Sequence, residues 1–105
     1  MRDISHKTNT LRTATAEATL TLSPATIALI REQKIPKGNP LEIARVAAIQ
    51  AAKNTSQTIP FCHQVPLDHV AVEFEMSDNH IRVQTTVKAV YKTGVEMEAL
   101  TAASV

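Results

Sequence analysis

The sequence predicts an α+β fold, an antiparallel sheet with helices packed on one face, and three observations carry that prediction. Apolar and polar residues alternate along three stretches, helix-opening signals precede three others, and two of the alternating stretches are joined by a short polar turn. In chain order the elements read strand, helix, helix, strand, strand, helix.

The first dozen residues are polar and read as an arm that carries Lys7 and Arg12. From Thr13 to Leu22, TATAEATLTL places Ala14, Ala16, Ala18, Leu20 and Leu22 on one face and Thr15, Glu17, Thr19 and Thr21 on the other, the pattern of a half-buried strand. Ser23 and Pro24 then supply an N-cap and a first helical residue, opening a helix that runs toward Ile35 and Pro36. The same signal recurs at Asn39 and Pro40, with Glu42 three residues after the cap, and predicts a helix over 40–53. Only Glu42, Arg45, Gln50 and Lys53 are polar there, so more than one side of this helix asks for cover, which a sheet and a neighbouring subunit would give.

VAVEFEM and IRVQTTVKAVY alternate on either side of SDNH and read as a hairpin. With those four residues as the loop, Met76 faces Ile81, Phe74 faces Val83 and Glu75 faces Arg82. Last, TGVEMEALTAASV opens with Thr93 and Glu96 spaced as a capping box. Its end offers no C-cap glycine and no basic last turn, so the chain is read as one domain, residues 1–105, cut short at its C-terminus.

At 105 residues the chain makes one thin-cored domain. Phe61, Phe74 and Tyr91 are its only aromatics, alanine fills much of the interior, and support from a partner subunit is expected. A net charge of +1 gives no basic field and the stacking platforms of single-strand binders are missing, which argues against nucleic acid. No run approaches the roughly 18 apolar residues of a membrane span, the N-terminus has no apolar signal core, and the cytoplasm is the expected compartment.

With two glycines, Gly38 and Gly94, the chain cannot build a glycine-rich phosphate loop. Phosphate would have to be met by side chains and helix starts, where Lys37 stands just before the Asn39 cap. Each such cation alone reads first as a solvated surface charge. Cys62 and His63 adjoin in TIPFCHQV. The four histidines lack metal-ligand spacing and there is no second thiolate, which disfavours a metal site. Neighbours on an extended chain point to opposite faces, which disfavours a catalytic dyad. A packed cysteine beside a hydrogen-bonded histidine, or a ligand-facing corner, remain open for the pair. Glu96 and Glu98 stand about 200 degrees apart on a helix and cannot share a proton; Glu96 reads as the capping-box residue, Glu98 as either a solvent-facing or a site carboxylate.

IARVAAIQAAKNTSQTIPFCHQVPL, KTGVEMEALTAASV and the N-terminal MRDISHK together resemble cyclic pyranopterin monophosphate synthase, the C protein of molybdenum cofactor biosynthesis, from end to end of this chain. The resemblance implies a ferredoxin-like fold and a homohexamer built as a trimer of dimers, with active sites between subunits. It implies a lyase reaction in which a cyclic dihydroguanosine triphosphate is rearranged to cyclic pyranopterin monophosphate with release of pyrophosphate, and it implies no metal or organic cofactor. Carried over residue by residue, Phe61, Cys62, His63, Met97 and Glu98 line the substrate site with Glu96 near them, while Lys37 and Arg12 meet phosphate or assist proton transfer. Asn39 stands where the family has aspartate, and Gln64-Val65 where it has Pro-Leu. The family's catalytic aspartate and following lysine fall beyond position 105. Two readings follow: the synthase itself, or a catalytically incomplete member that binds substrate or assembles.

Overall fold

The structure, a computed structural model, describes residues 1–105. Its elements are β1 (Thr10–Thr21), α1 (Pro24–Arg31), α2 (Pro40–Lys53), α3 (Thr55–Thr58), β2 (His69–Met76), β3 (His80–Tyr91) and α4 (Glu96–Ser104). The strands form one antiparallel sheet in the order β1-β3-β2, so the longest central strand is flanked by the other two. This is the α+β arrangement expected, with three strands.

Both proline-led helices begin where their caps dictate. Ser23 Oγ accepts from the Thr26 N–H at 3.2 Å, and Asn39 Oδ1 accepts from the N–H groups of Leu41 and Glu42 at 3.1 and 3.5 Å. The end of α1 differs from expectation: it stops at Arg31 rather than near Ile35. Gln33 turns into the left-handed region with φ 57°, the Lys34 N–H reaches Leu29 O at 2.9 Å and the Gln33 N–H reaches Ile30 O at 3.1 Å. That closes the helix in a Schellman motif with glutamine in the place glycine usually takes.

The hairpin register is the expected one, with Met76 opposite Ile81, Phe74 opposite Val83 and Glu75 opposite Arg82. Arg82 bridges Glu75 at 2.7 Å and also reaches Glu17 on β1 at 3.3 Å, which stitches all three strands on the polar face. His80 belongs to β3 rather than to the loop, since its carbonyl accepts from the Ser77 N–H at 3.0 Å.

The arm is shorter than the first dozen residues. Thr10, Leu11 and Arg12 are strand, paired with Tyr91, Val90 and Ala89, so Arg12 sits on the sheet and not on a mobile tail. Cross-strand hydrogen bonding extends the ladder through residues whose polarity hid it.

Helices α2 and α4 cover one face of the sheet, contacting one another as well as the strands. The core between them is Ala16, Ala48, Ala52, Val72, Val87, Ala89, Val95, Ala99 and Ala102, with Thr85 and Glu98 also buried. Six of those nine are alanines, so each contact buries little area and the layers lie close. The molecule is elongated, 53 × 20 × 19 Å, with a radius of gyration of 16.0 Å against about 13 Å for a rounded domain of this length. The cause is the 12-residue strands β1 and β3, about 40 Å long, which outrun the 14-residue α2 at about 21 Å. Beyond the helices, an apolar groove between Leu20, Ile81, Leu41 and Val105 stays open. No helix is long and apolar enough to cross a membrane.

Candidate active site

Past α2, Thr55 closes the helix end by donating its hydroxyl to Ala51 O and Ala52 O, both at 3.0 Å, and a short helix, α3, follows that the sequence pattern did not announce. The chain then turns. The Cys62 N–H donates to Ile59 O at 3.1 Å, a β-turn with Pro60 and Phe61 at its two central positions, where proline fits the first. The chain bends at Cys62, at the end of that turn, instead of running straight through an extended strand, and Cys62 and His63 both line one cavity. No hydrogen bond joins the two. His63 Nε2 instead lies 2.7 Å from the main-chain oxygen of Arg2.

The opposite wall is the start of α4. The capping box does not form: the N-cap position is Val95, without a side-chain cap, and not Thr93. Val95 is 1% exposed, and burying it in the core fixes where the helix begins, overriding the local cap signal. Glu96 folds back over Gly94, its carboxylate occupying the space a Cβ there would need. Glu98 is turned the other way and is buried, at 4% exposure, so it is not a solvent-face carboxylate.

Phe61, Cys62, His63, Glu96, Met97 and Glu98 thus meet around one cavity of about 550 Å³. Arg2, Asp3, Ile4, His6, Lys7, Val65, Thr93 and Gly94 complete its lining. None of those eight was read as a site residue in its own right; the polar Arg2, Asp3 and His6 carry no periodicity, and their only sequence signal is that MRDISHK belongs to the resemblance. Arg12 and Lys37 do not line the cavity. Arg12 is close by, its Nη2 donating to Lys92 O at 3.4 Å, and its Nε is buried without a partner. Lys37 is exposed three residues before α2, at the end of that helix remote from the Cys62 turn.

The electrostatics divide the acids. Burial raises Glu98 above the ordinary carboxylate range; a hydrogen bond from its own backbone N–H opposes this, and the charge of Glu96 adds to it. The Cys62 thiol is also raised, first by burial and then by the negative charge of Glu98. A raised thiol is a poor nucleophile, so Cys62 is better suited to shaping the cavity than to attacking a ligand. A carboxyl that holds its proton beyond the usual range is suited to donating it. No three His, Cys, Asp or Glu side chains converge as a metal-binding group.

The family model described as the MoaC family matches residues 1–105. The "Probable cyclic pyranopterin monophosphate synthase" of Pyrococcus furiosus is 49% identical over all of this chain, which covers 67% of that protein. The "Cyclic pyranopterin monophosphate synthase" of Aquifex aeolicus is 46% identical over 95% of this chain and 39% of its own length. The "Molybdenum cofactor biosynthesis bifunctional protein" of Chlorobaculum tepidum is 50% identical over all of this chain and 34% of its own length. The chain thus spans from about a third to about two thirds of these relatives. With the family model matched along every residue and near half of its positions identical to those of these relatives, the chain belongs to the MoaC family.

Proposed function

We propose that the chain serves molybdenum cofactor biosynthesis as a cytoplasmic cyclic pyranopterin monophosphate synthase. It takes a cyclic dihydroguanosine triphosphate intermediate and, as a lyase, rearranges it to cyclic pyranopterin monophosphate with release of pyrophosphate. The observation that carries this reading is the convergence of Phe61, Cys62, His63, Glu96, Met97 and Glu98, drawn from two segments over 30 residues apart in sequence, on one cavity. His63 supplies proton transfer during ring opening and reclosure, and Glu98 donates a proton from its buried carboxyl. Phe61, Cys62 and Met97 shape the wall against which the ring system lies.

The site works between subunits. Lys37 precedes α2, which is about 21 Å long, while His63 follows α2 and α3 and lines a cavity that Lys37 does not, so a cation from another copy is called on. Lys37 of a neighbouring copy can meet the triphosphate, with Arg12, whose buried Nε lacks an acceptor, as a second cation. Leu20, Ile43 and Val46 are 58–67% exposed, Ile43 and Val46 one turn apart on α2, which supports packing of copies into the homohexamer, a trimer of dimers. No step calls for a metal or organic cofactor.

The test is incubation of this chain with the cyclic triphosphate intermediate, following pyrophosphate release beside equilibrium binding. Release at a rate lost on His63→Ala supports the synthase. Because the chain spans 34% to 73% of the relatives' lengths, binding without release is the outcome that favours the second reading, a substrate-binding or assembly module. Absence of binding refutes the synthase and the substrate-binding module together and leaves only assembly.

A further inference from the structure

The hydrogen bond between His63 and Arg2 crosses 61 residues of sequence and joins the catalytic turn to the N-terminal segment. A main-chain carbonyl has lone pairs and no proton, so the 2.7 Å approach of His63 Nε2 to Arg2 O requires the hydrogen to reside on Nε2. In the neutral ring that leaves Nδ1 as the lone pair, and His63 makes no other hydrogen bond within the chain.

The carbonyl is itself held in place. Asp3 accepts from the Ser5 N–H at 2.9 Å and from Ser5 Oγ at 2.7 Å, and the Lys7 N–H donates to Ile4 O at 3.1 Å, so residues 3–7 form two consecutive turns immediately after Arg2. The same bonds to Ser5 hold the Asp3 carboxyl below its ordinary range, keeping the acceptor charged. Arg2, Asp3, Ile4, His6 and Lys7 all line the cavity that His63 lines. The N-terminal segment is therefore part of the site's frame.

We propose that this turn is a positioning element for His63. The Arg2 carbonyl fixes the imidazole in the tautomer protonated at Nε2, and His63 exchanges protons with the ligand through Nδ1. This rests on the reading of His63 as the acid–base group of the site. Fixing a tautomer removes the need to reorganise the ring before a proton moves, as second partners of functional histidines do elsewhere.

The experiment is a two-bond and three-bond ¹H–¹⁵N correlation spectrum of the histidine-labelled chain, recorded without ligand at alkaline pH. The expected pattern for His63 is that of a ring protonated at Nε2 alone. Deleting residues 1–5 moves its Nδ1 and Nε2 resonances toward the averaged positions of free histidine. His80, bonded to Ser77 at the far end of the sheet, keeps its pattern and reports that the domain is folded. If the deletion disturbs His80, the paired change Asp3→Ala with Ser5→Ala replaces it and loosens only the turn. Arg2→Ala, which keeps the carbonyl, leaves the His63 pattern intact. A wild-type ring protonated at Nδ1, or resonances that ignore loss of the turn in a folded chain, overturns the proposal. The spectrum needs no substrate, so that result leaves the synthase reading standing, while failure of the ligand to bind leaves the tautomer assignment standing.

Discussion

The Thr85 hydroxyl donates to the Ala99 carbonyl at 2.7 Å, a buried bond that fastens the middle of β3 to the helix carrying Glu96, Met97 and Glu98. Thr85 is fully buried, so its hydroxyl has no water to fall back on. One wall of the site is thus registered against the sheet by a single polar contact set among alanines and valines.

Thr85→Val keeps the shape and removes the donor. It is expected to destabilise by about 1–2 kcal/mol, lowering the thermal midpoint by roughly 4–8 °C per kcal/mol, because the carbonyl loses a partner and the hydroxyl is gone. Thr85→Ser, which retains the donor, should lose less. Calorimetry of the two variants side by side checks this, and a larger loss in Thr85→Ser than in Thr85→Val would assign the effect to the methyl group.

Glu98→Gln separates burial from charge. The folded chain holds the Glu98 proton more tightly than the unfolded chain, whose value lies at about 4.3. Between that value and the raised folded one, the folded state binds more protons, so its contribution to stability is full in acid and falls as pH rises. Glu98→Gln removes this loss. Its midpoint should exceed that of the wild type at neutral pH, and the two curves should approach each other below about pH 4. Thermal melts across pH 3 to 8 read the difference directly.

Cys62 is expected to alkylate slowly. Iodoacetamide at pH 8 should modify it more slowly than an unstructured cysteine peptide, since burial and then the Glu98 charge both suppress the thiolate. Glu98→Gln should accelerate the reaction without restoring the peptide rate, because burial, the larger cause, is untouched. Mass-spectrometric time courses distinguish this from a thiol indifferent to Glu98.

Gln33→Gly tests the end of α1. At φ 57° a side chain costs roughly 1 kcal/mol that glycine avoids, offset in part by glycine's freer unfolded chain. A net gain of about 0.5 kcal/mol in chemical denaturation is expected, and a loss would mean that the glutamine side chain contributes elsewhere.

Local chemistry was legible where it acted locally. Ser23 and Asn39 announced helix starts because a cap is made within three residues, and the Met76–Ile81 register followed from alternation and a short turn. Thr93 misled because the burial of Val95, a tertiary effect, chose the helix start. Gln33 gave no warning because glycine is the usual signal for that conformation. Within the site, Cys62, His63 and Glu98 could be singled out as residue types, but the sense in which Glu98 turns, and the role of Arg2, depend on contacts between distant parts of the chain. The bond from His63 to Arg2 has no sequence shadow, since its acceptor is backbone and any residue there would supply it.

The alanines of the core act as spacers. Ala16 and Ala89 on the sheet and Ala99 and Ala102 on α4 let helix and sheet approach as closely as methyl groups allow, and that separation sets how deep Glu98 sits. Adding methyls there would shift the helix outward and raise the carboxyl toward solvent, relaxing the very burial that lifts its proton affinity. Acidity at the cavity wall is thereby tied to the size of side chains that never touch the cavity, so drift in a seemingly inert part of the interior would retune the site without altering one of its residues.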